Sequence, residues 1–510
     1  MDVVIVSDCS NGENNTFLYR YIGPYKIAHV CRSQGYSAQV IDFVMSMTYE
    51  ALLGYLRKFV NKETKMVALS ATFLCQVPAK QSDGTWARAP EHVIKALRQI
   101  KLEYPQAKYV LGGYMSEHLD GFGFIDCRVL SNAEGIMVEL INYFAGTGEE
   151  PVFKLQKPSW KKAAGLEKMY YAARNVVYNI ETDNFRFHEQ DCVVEQETLP
   201  LEVSRGCVFK CKFCNHENLG RPKLDYLRSM DCIREELVNN YQQWGVTNYN
   251  VLCDTFNDTE TKLRMWHKMV TSLPFKIKFA AYIRVDLIHR FPDMAHLLKE
   301  GGLHAAFHGL ESLHPEASRI VGKAWSGRHA REYIPELYHN IWGGQVHQHL
   351  NFIVGLPGDS IESMESTADW VIQNQLQSAS FGELYLVKGS FRHLSEFERN
   401  ADQYGYTFDD TKIQDARVES GDGSYNKYWK LDYIDFEKAR LTARSLNRRI
   451  GSHVGPMNWT ILSALSVGMP ESKINVKRIQ FSLGTYAAHK LSFIKRYQDK
   501  LTGITAQGDS

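Results

Sequence analysis

The sequence predicts an α/β protein, and two observations support that fold class. Short apolar runs alternate with amphipathic helical segments over residues 1–145 and again over residues 199–390, a pattern typical of parallel sheets covered by helices. With 510 residues, 44% of them hydrophobic and 23% charged, the chain can form several cores. We expect a doubly wound Rossmann-like domain over residues 1–148, a linker over 149–198, a partial (β/α)6 barrel of the TIM type over 199–392 and a small α-helical cap over 393–510.

The charge and the apolar content exclude several classes of protein. The formal net charge is +1, so we expect no nucleic-acid partner. No apolar run is long enough to cross a membrane, and the segment Met1–Val6 lacks the basic region of a signal peptide. Of the ten cysteines, three are close together and the rest are scattered, which indicates a reducing compartment. We therefore predict a cytoplasmic protein without a membrane partner.

The first domain is predicted from strands and helices in alternation. Its first helix has Pro24 in the first turn and Gly35 after its end. Such alternation packs as a parallel sheet covered on both faces, and a ligand would lie at the carboxyl ends of the strands, in loops 7–14, 70–75 and 112–117. The predicted strands are 3–6, 38–43, 66–70 and 109–111, and the predicted helices are 24–33, 49–60 and 91–102.

The second domain repeats strand and helix six times. Six such units make part of an eight-fold barrel that is open on one side, with its ligand site at the carboxyl ends of the strands. The helix after the first strand is predicted to be capped by Asp231, to end at Gly245 and to bury Tyr241 on its apolar face. The predicted strands are 199–203, 249–253, 279–284, 305–310, 349–354 and 383–387.

The loop after the first barrel strand carries Cys207, Cys211 and Cys214 at the spacing C-x3-C-x2-C. Thiolates at such spacing on one loop can converge on a single metal centre. Three ligands are one short of a closed tetrahedral zinc site, and they are the right number for a [4Fe–4S] cluster that keeps one iron open. A zinc knuckle with His216 as the fourth ligand, in a zinc-stabilised binding protein, is the alternative.

With Phe213 in the aromatic place, this loop resembles the C-x3-C-x-aromatic-C signature of the radical SAM superfamily. The resemblance implies that the three cysteines hold a [4Fe–4S] cluster whose fourth iron binds S-adenosylmethionine. It also implies reductive cleavage of that cofactor to a 5′-deoxyadenosyl radical, with electrons from a donor such as flavodoxin or ferredoxin.

Polar residues and glycines end the later barrel strands. The segments around Glu311 and Gly355 resemble the G-x-E-S and hydrophobic-G-x-P-G segments of the same superfamily. A carboxylate can hold the ammonium or the ribose hydroxyls of S-adenosylmethionine by charge-assisted hydrogen bonds, and a glycine lets the backbone approach the adenosine. The resemblance therefore makes cofactor-binding candidates of Phe213, Asp254, Arg284, Glu311, Ser312 and Gly355.

Each of these strand-end residues also has a simpler interpretation. Asp254 could be a turn residue, and Glu311 could be an ion-pair partner of Arg284 or Arg319. Four histidines near the same strands invite a metal site, but their spacing is not helical, and we expect polar strand and loop groups instead. They are His304, His308, His347 and His349.

The first domain looks like the cobalamin-binding-type domain that often precedes a radical SAM core. Small-residue and acidic-glycine loops carry the likeness, at 70–72, 112–113 and 132–135. The loop 8–12 departs from the D-x-H-x-x-G pattern of the best-known cobalamin domains, because it contains no histidine. Two interpretations stay open: cobalamin bound without a protein histidine on cobalt, or a docking domain without a cofactor.

The C-terminal region is predicted to begin with a long loop, 396–426, over the open side of the barrel. A helix at 436–450 follows, capped by Asp435, with an apolar face and a basic face. The basic face is either a solvated surface or a contact with an acidic substrate or carrier protein.

Together these features predict a radical SAM enzyme that methylates, or otherwise modifies by radical chemistry, an unactivated carbon of a small-molecule or carrier-bound substrate. The cofactors supply the difficult chemistry, and the protein supplies positioning and water exclusion. A methylthiotransferase is the alternative enzyme. It is disfavoured because the first domain lacks a three-cysteine set for a second cluster and the C-terminus shows no RNA-binding β-barrel.

Overall fold

The structure is a computed structural model of the 510-residue chain. The structure describes residues 1–8, 18–74, 79–80, 86–87, 89–113, 123–130, 133–151, 169–171, 179–216, 219–221, 224–323, 325, 327–388, 394–412, 427–451, 453 and 483–505.

The first domain is built on a parallel sheet with the strand order β2-β1-β3-β6-β7-β8. The chain leaves β1 toward β2 on one side and returns to β3 on the other, so the sheet is doubly wound as predicted. Its strands are β1 (Val3–Val6), β2 (Ala38–Ile41), β3 (Met66–Ser70), β6 (Lys108–Gly112), β7 (Cys127–Leu130) and β8 (Met169–Tyr171), with a small antiparallel pair, β4 (Ala79–Lys80) and β5 (Trp86–Ala87), beside it. The helices are α1 (Ile22–Ser33), α2 (Tyr49–Phe59), α3 (Ala71–Leu74), α4 (Glu91–Glu103) and α5 (Glu134–Phe144).

The central strands β1 and β3 are almost entirely apolar because helices cover both faces of the sheet. All four residues of β1 are buried. The sequence missed β7 and α5, and β8 lies inside the segment predicted as a linker. The first sheet therefore extends past residue 148, since β8 pairs in parallel with β7.

The second domain is an open barrel of parallel strands in the sequential order β9 to β14. Helices follow the strands and pack on the outside, as in an eight-fold barrel that lacks two units. The strands are β9 (Thr198–Leu201), β10 (Asn248–Val251), β11 (Lys278–Tyr282), β12 (Leu303–Glu311), β13 (His347–Val354) and β14 (Ala379–Glu383). The helices are α6 (Met230–Trp244), α7 (Glu260–Thr271), α8 (Val285–Arg290), α9 (Asp293–Glu300), α10 (Pro315–Val321), α11 (Gly327–Glu336), which continues into a π-helical turn at Leu337–Ile341, and α12 (Ile361–Gln373).

Three local predictions in the barrel were wrong. The sixth strand is Ala379–Glu383, so it begins four residues before the predicted segment and shares only Glu383 with it. The cap of α6 is Ser229, whose hydroxyl accepts from the Cys232 amide, while Asp231 lies in the first helical turn. Tyr241 is 43% exposed. One face of its ring stacks on Phe275 at a centroid distance of 4.1 Å, and this contact covers that face without burying the whole side chain.

The C-terminal region contacts both domains. A short antiparallel pair, β15 (Thr407–Phe408) and β16 (Trp429–Lys430), lies beside the barrel after the short helix α13 (Glu396–Arg399). Helix α14 (Phe436–Gly451) packs on β14 with its apolar face buried, and the Lys438 amide donates to the Asp435 carboxylate as the predicted cap requires.

The last helix, α15 (Leu483–Gly503), packs on the first domain instead of on the barrel. The Tyr497 ring lies 5.0 Å from that of Phe43, and its oxygen accepts a hydrogen bond from the Asp42 amide. The guanidinium of Arg20 lies 5.3 Å from the Tyr497 ring and donates to Glu197 at 2.6 Å. The chain segment expected to cap the barrel thus also joins the first domain. Among the helices of the described residues, none is long and apolar enough to cross a membrane.

Buried charges join the first domain to the barrel. Lys26 of α1 pairs with Asp183 and with Glu202 at the end of β9. Glu202 also accepts from Arg205 at 2.8 Å, and Arg205 donates to Glu134 of α5 at 2.7 Å. Although burial alone would raise it, the charges of Lys26 and Arg205 lower the pKa of Glu202 to about 2. The junction therefore depends on ionised Glu202.

We expect Glu202→Gln to lower the free energy of unfolding near neutral pH by about 3 kcal/mol, because it leaves buried cations without a charged partner. Since the folded pKa of Glu202 lies below the unfolded value, its contribution is complete above about pH 4.5 and is lost as the pH falls toward 2. The difference between parent and variant should therefore shrink on acidification. Urea unfolding at about pH 7 and about pH 3.5 measures it.

Glu103→Gln is the control for this experiment, because Glu103 pairs with Arg57 on the surface of the same domain. Solvent screens that pair, so its loss should change stability little at either pH. A pH-independent difference between the parent and Glu202→Gln would contradict the assignment.

Candidate functional site at the barrel mouth

Hydrogen bonds from the surrounding chain hold the cysteine loop after β9. Within the loop, the Cys214 amide donates to the Cys211 carbonyl at 3.0 Å. The Lys212 amide donates to the Val321 carbonyl at 3.2 Å, and its own carbonyl accepts from the Phe397 amide at 3.0 Å. The loop is therefore fixed between the end of α10 and α13.

The three cysteines of this loop are free thiols. Cys207 is 5% exposed, and its sulfur lies 3.5 Å from the Thr255 hydroxyl, while Cys211 and Cys214 are half-buried. Burial raises the pKa of Cys207, and it raises that of Cys214 to about 12. Thiolates at these positions would therefore need a neighbouring positive charge, such as that of a metal centre.

The donor set fits an iron–sulfur cluster better than a single zinc ion. Three free thiols on one loop are the ligands that such clusters take. His216, the fourth ligand of the zinc alternative, instead lies with its Nε2 2.8 Å from Asp254 Oδ1. His216 therefore does not complete a four-ligand zinc site with the three cysteines in this structure.

Arg284 ends β11 beside the cysteine loop. Its guanidinium lies 3.9 Å from the centre of the Phe209 ring and forms a two-pronged pair with Asp286 at 3.0 and 2.6 Å. Burial works to lower its pKa, but the hydrogen bond to Asp286 raises it, and the nearby Cys211 and Cys207 add to that effect. Its Nη1 is buried without a hydrogen-bond partner, so one donor stays available for a ligand.

Asp254 follows β10 with one carboxylate oxygen engaged and one free. Oδ1 faces His216, whereas Oδ2 is buried without a hydrogen-bond partner. A buried acceptor of this kind is costly unless a ligand completes it. Asp254 therefore has one buried acceptor that a ligand could complete.

Glu311 ends β12 in a strained conformation, with φ of +65° at a break in the register with β13. Its carboxylate pairs with Lys323 at 2.9 Å, and Lys323 also donates to the Gly309 carbonyl. The expected partners Arg284 and Arg319 are engaged elsewhere, with Asp286 and Glu316. Such strain persists only where the surrounding structure fixes it, and here the Lys323 pair holds the side chain.

Ser312 and Phe213 complete the predicted set with packing roles. The Ser312 hydroxyl donates to Asp359 at 2.5 Å, which links the end of β12 to the loop after β13. Phe213 is half-buried and packs against the apolar core behind the cysteine loop. Both side chains contact protein rather than an open face.

Gly355 lies directly after β13 and packs closely against the C-terminal region. Its φ is +102°, and a Cβ at this position would collide with the buried ring of Trp429. Tyr406 donates to the Gly355 carbonyl at 2.7 Å, and Trp429 donates to the Leu384 carbonyl at 2.8 Å. The ring of Trp429 therefore occupies the side of Gly355 on which a Cβ would lie.

The sequence missed a buried polar group beneath the cysteine loop. Lys262 of α7 is fully buried and donates to Ser204, to the Thr255 carbonyl and to Asp258. Asp258 also accepts from Tyr226 at 2.6 Å. The sequence did contain an indication of this buried pair, because a lysine on the apolar side of α7 follows an aspartate by four residues.

The histidines of β12 and β13 are strand groups, as expected. His308 accepts or donates at the Ile283 carbonyl, 3.0 Å away, and burial lowers its pKa to about 4. His349 lies between Ser378 and Ser380, at 2.7 and 2.8 Å, and burial lowers its pKa to about 3. Both rings are neutral at physiological pH.

The carboxyl edge of the first sheet is a second candidate binding region. The chain reverses its direction of winding between β1 and β3, and such switch points accept ligands in open α/β sheets. Gly113 follows β6 with φ of +103°, so the backbone is open to close approach there. Parts of the predicted loops, at 9–14, 75, 114–117 and 132, lie outside the described residues.

Comparison with known proteins identifies the second domain. The family model of the radical SAM superfamily matches residues 201–371, which confirms the predicted radical SAM domain. An uncharacterized methyltransferase of Pyrococcus horikoshii is 26% identical over 179 residues, which are 35% of this chain and 38% of that protein. Bacteriochlorophyllide d C-12(1)-methyltransferase of Chlorobaculum tepidum is 20% identical over 273 residues, 52% of this chain and 55% of that protein. The chain thus spans about two fifths to about half of the length of these relatives.

Solved structures resemble the chain beyond this domain. The radical S-adenosylmethionine methyltransferase TsrM from Kitasatospora setae, with cobalamin and a [4Fe–4S] cluster bound, aligns with a TM-score of 0.61 at 13% identity. The alignment covers 98% of this chain and 99% of that one. The cobalamin-dependent S-adenosylmethionine radical enzyme OxsB with aqua-cobalamin aligns with a TM-score of 0.55 at 12% identity, covering 99% of this chain and 81% of that one. These likenesses confirm the predicted α/β fold.

We expect Gly355→Ala to lower the free energy of unfolding by about 2–4 kcal/mol, because it combines a positive φ with overpacking against Trp429. Urea denaturation followed by tryptophan fluorescence measures the change. Gly382→Ala in β14 is the matched control, since a Cβ there has no atom within 4 Å. Equal stability of the two variants would show that Trp429 does not constrain Gly355.

Proposed function

We propose that this protein is a cobalamin-dependent radical SAM methyltransferase acting on an unactivated carbon of a small molecule or of a carrier-bound substrate. The observation that carries the proposal is the free three-cysteine loop at the barrel mouth, beside buried, unsatisfied groups of Asp254 and Arg284. When bound, a [4Fe–4S] cluster and S-adenosylmethionine supply the radical chemistry, and cobalamin supplies methyl transfer.

In this proposal Cys207, Cys211 and Cys214 hold the cluster. Asp254 Oδ2 accepts a hydrogen bond from the ammonium or the ribose of S-adenosylmethionine, and Arg284 Nη1 donates to its carboxylate. Both atoms are buried and lack partners, so a ligand that pairs with them would remove a desolvation penalty of about 1–3 kcal/mol each. Glu311 contributes a second carboxylate, which shares Lys323 with the Gly309 carbonyl.

Ser312, Phe213 and Gly355 act in this proposal through their neighbours. Ser312 fixes Asp359, Phe213 supports the cysteine loop, and Gly355 makes room for Trp429. These contacts shape the barrel mouth and help to exclude water from the radical.

We assign cobalamin to the carboxyl edge of the first sheet. Support comes from the switch point between β1 and β3, from the small residues after β3 and β6, and from the likeness to two structures whose titles name cobalamin. A methyltransferase is favoured over a methylthiotransferase because the relatives are named as methyltransferases. An electron donor such as flavodoxin or ferredoxin and a cytoplasmic location complete the proposal.

We expect Cys211→Ala to lose the absorbance of the [4Fe–4S] cluster and all formation of 5′-deoxyadenosine, because the three ligands share one loop. Anaerobic reconstitution, iron analysis and chromatography of the nucleoside measure these losses. Cys232→Ala is the control, since Cys232 is a free, half-buried thiol in α6 outside the loop. Parental iron content and nucleoside formation in Cys211→Ala would disprove the cluster assignment.

We also expect the purified protein to bind hydroxocobalamin with a dissociation constant at or below about 10 μM, equivalent to about −7 kcal/mol. Equilibrium dialysis gives the affinity, and the visible spectrum reports the lower axial position of cobalt. Since loop 8–12 has no histidine, the spectrum should show no imidazole ligand from this loop. Absence of binding at millimolar cobalamin would leave the first domain as a docking domain.

A further inference from the structure

The carboxyl edges of the two parallel sheets are joined by a direct ion pair. Glu134 is the first residue of α5, the helix that follows β7 at the edge of the first sheet. Arg205 lies in the loop after β9, two residues before Cys207. The Arg205 Nη2 donates to Glu134 Oε1 at 2.7 Å, and the two side chains are 15% and 7% exposed.

The same arginine is fixed from its other side by the barrel. Arg205 Nε donates to Glu202 Oε1 at 2.8 Å, and Nη2 donates to Glu202 Oε2 at 3.0 Å. Glu202 in turn pairs with Lys26 of α1, the helix that follows β1. Helices α1 and α5 of the first domain are thus both joined by ion pairs to the residues that directly follow β9.

Stability alone does not explain a charged junction at this place. Removing charges from water costs several kcal/mol per ion, and apolar residues of similar volume often stabilise a buried site as well or better. What the charges add is geometry, since a planar guanidinium held by two carboxylates has a defined direction. Among these ion-paired residues, Glu134 belongs to the first domain and contacts the cysteine loop directly through Arg205.

We propose that Glu134 is a positioning residue that sets, through Arg205, the separation and orientation of the cysteine loop relative to the carboxyl edge of the first sheet. This inference rests on the proposed function, in which those two places carry the cluster and cobalamin. Transfer between two bound groups needs their distance fixed, because a displacement of about 1 Å can cost about 100-fold in rate.

The test compares Glu134→Gln with the parental full-length protein. Each is reconstituted with the cluster and loaded with cob(II)alamin, and the cluster is reduced to its paramagnetic +1 state at a potential that leaves cob(II)alamin unreduced. Pulsed electron paramagnetic resonance then measures the magnetic interaction between the two paramagnetic centres. We expect normal cluster absorbance and a cobalamin affinity within about twofold of parental, but a mean separation shifted or broadened by about 1 Å or more. Glu139→Gln is the matched control, because Glu139 lies exposed on the same helix and should leave the interaction unchanged.

Glu134→Asp keeps the charge and shortens the side chain by one methylene, so it decides the question if the Gln variant does not fold. A shift in the Asp variant supports the inference. A magnetic interaction identical to the parental one in a folded Glu134 variant overturns the positioning role while leaving the proposed function intact. Failure of the parental protein to bind cobalamin overturns both, and it is recognised by occurring before any variant is compared.

Discussion

The arrangement of this molecule depends on ionised carboxylates buried between its two parallel sheets. Glu202 ends the first barrel strand and receives Lys26 from one side and Arg205 from the other. Each of these charges would be costly without its partners, so the first domain and the barrel can associate only where all of them meet. Because the junction lies directly before Cys207, the same ion pairs that hold the two domains together also fix the position of the cysteine loop.

Features of local origin could be predicted from the sequence. The cysteine loop was identified because its ligands lie within eight residues, and the sheets were identified because parallel strands buried on both faces give continuous apolar runs. Errors arose where two local solutions compete. Ser229 and Asp231 are both good helix caps, and segment 384–387 is more apolar than the strand before it, so neither boundary could be decided without the packing.

The contacts that complete the site were not predictable, because they join residues far apart in the chain. Lys26 and Glu202 are separated by 176 positions, and Arg205 and Glu134 by 71. Gly355 shows the same limit: its motif suggested a cofactor, and nothing in the sequence indicated that Trp429 of the C-terminal region also packs against it. A glycine in a motif indicates a close approach, but the sequence does not say which group approaches.

The C-terminal region contacts both the barrel and the first domain, and so it adds a second connection between them. Trp429 and Tyr406 hydrogen-bond to the ends of barrel strands, while Tyr497 of the last helix meets Arg20 and Asp42 in the first domain. A rigid rotation of the first domain against the barrel would therefore break contacts on two sides and leave buried charges unpaired, at about 3–5 kcal/mol for each broken pair. The distance between the two carboxyl edges is therefore set by these contacts of the folded chain.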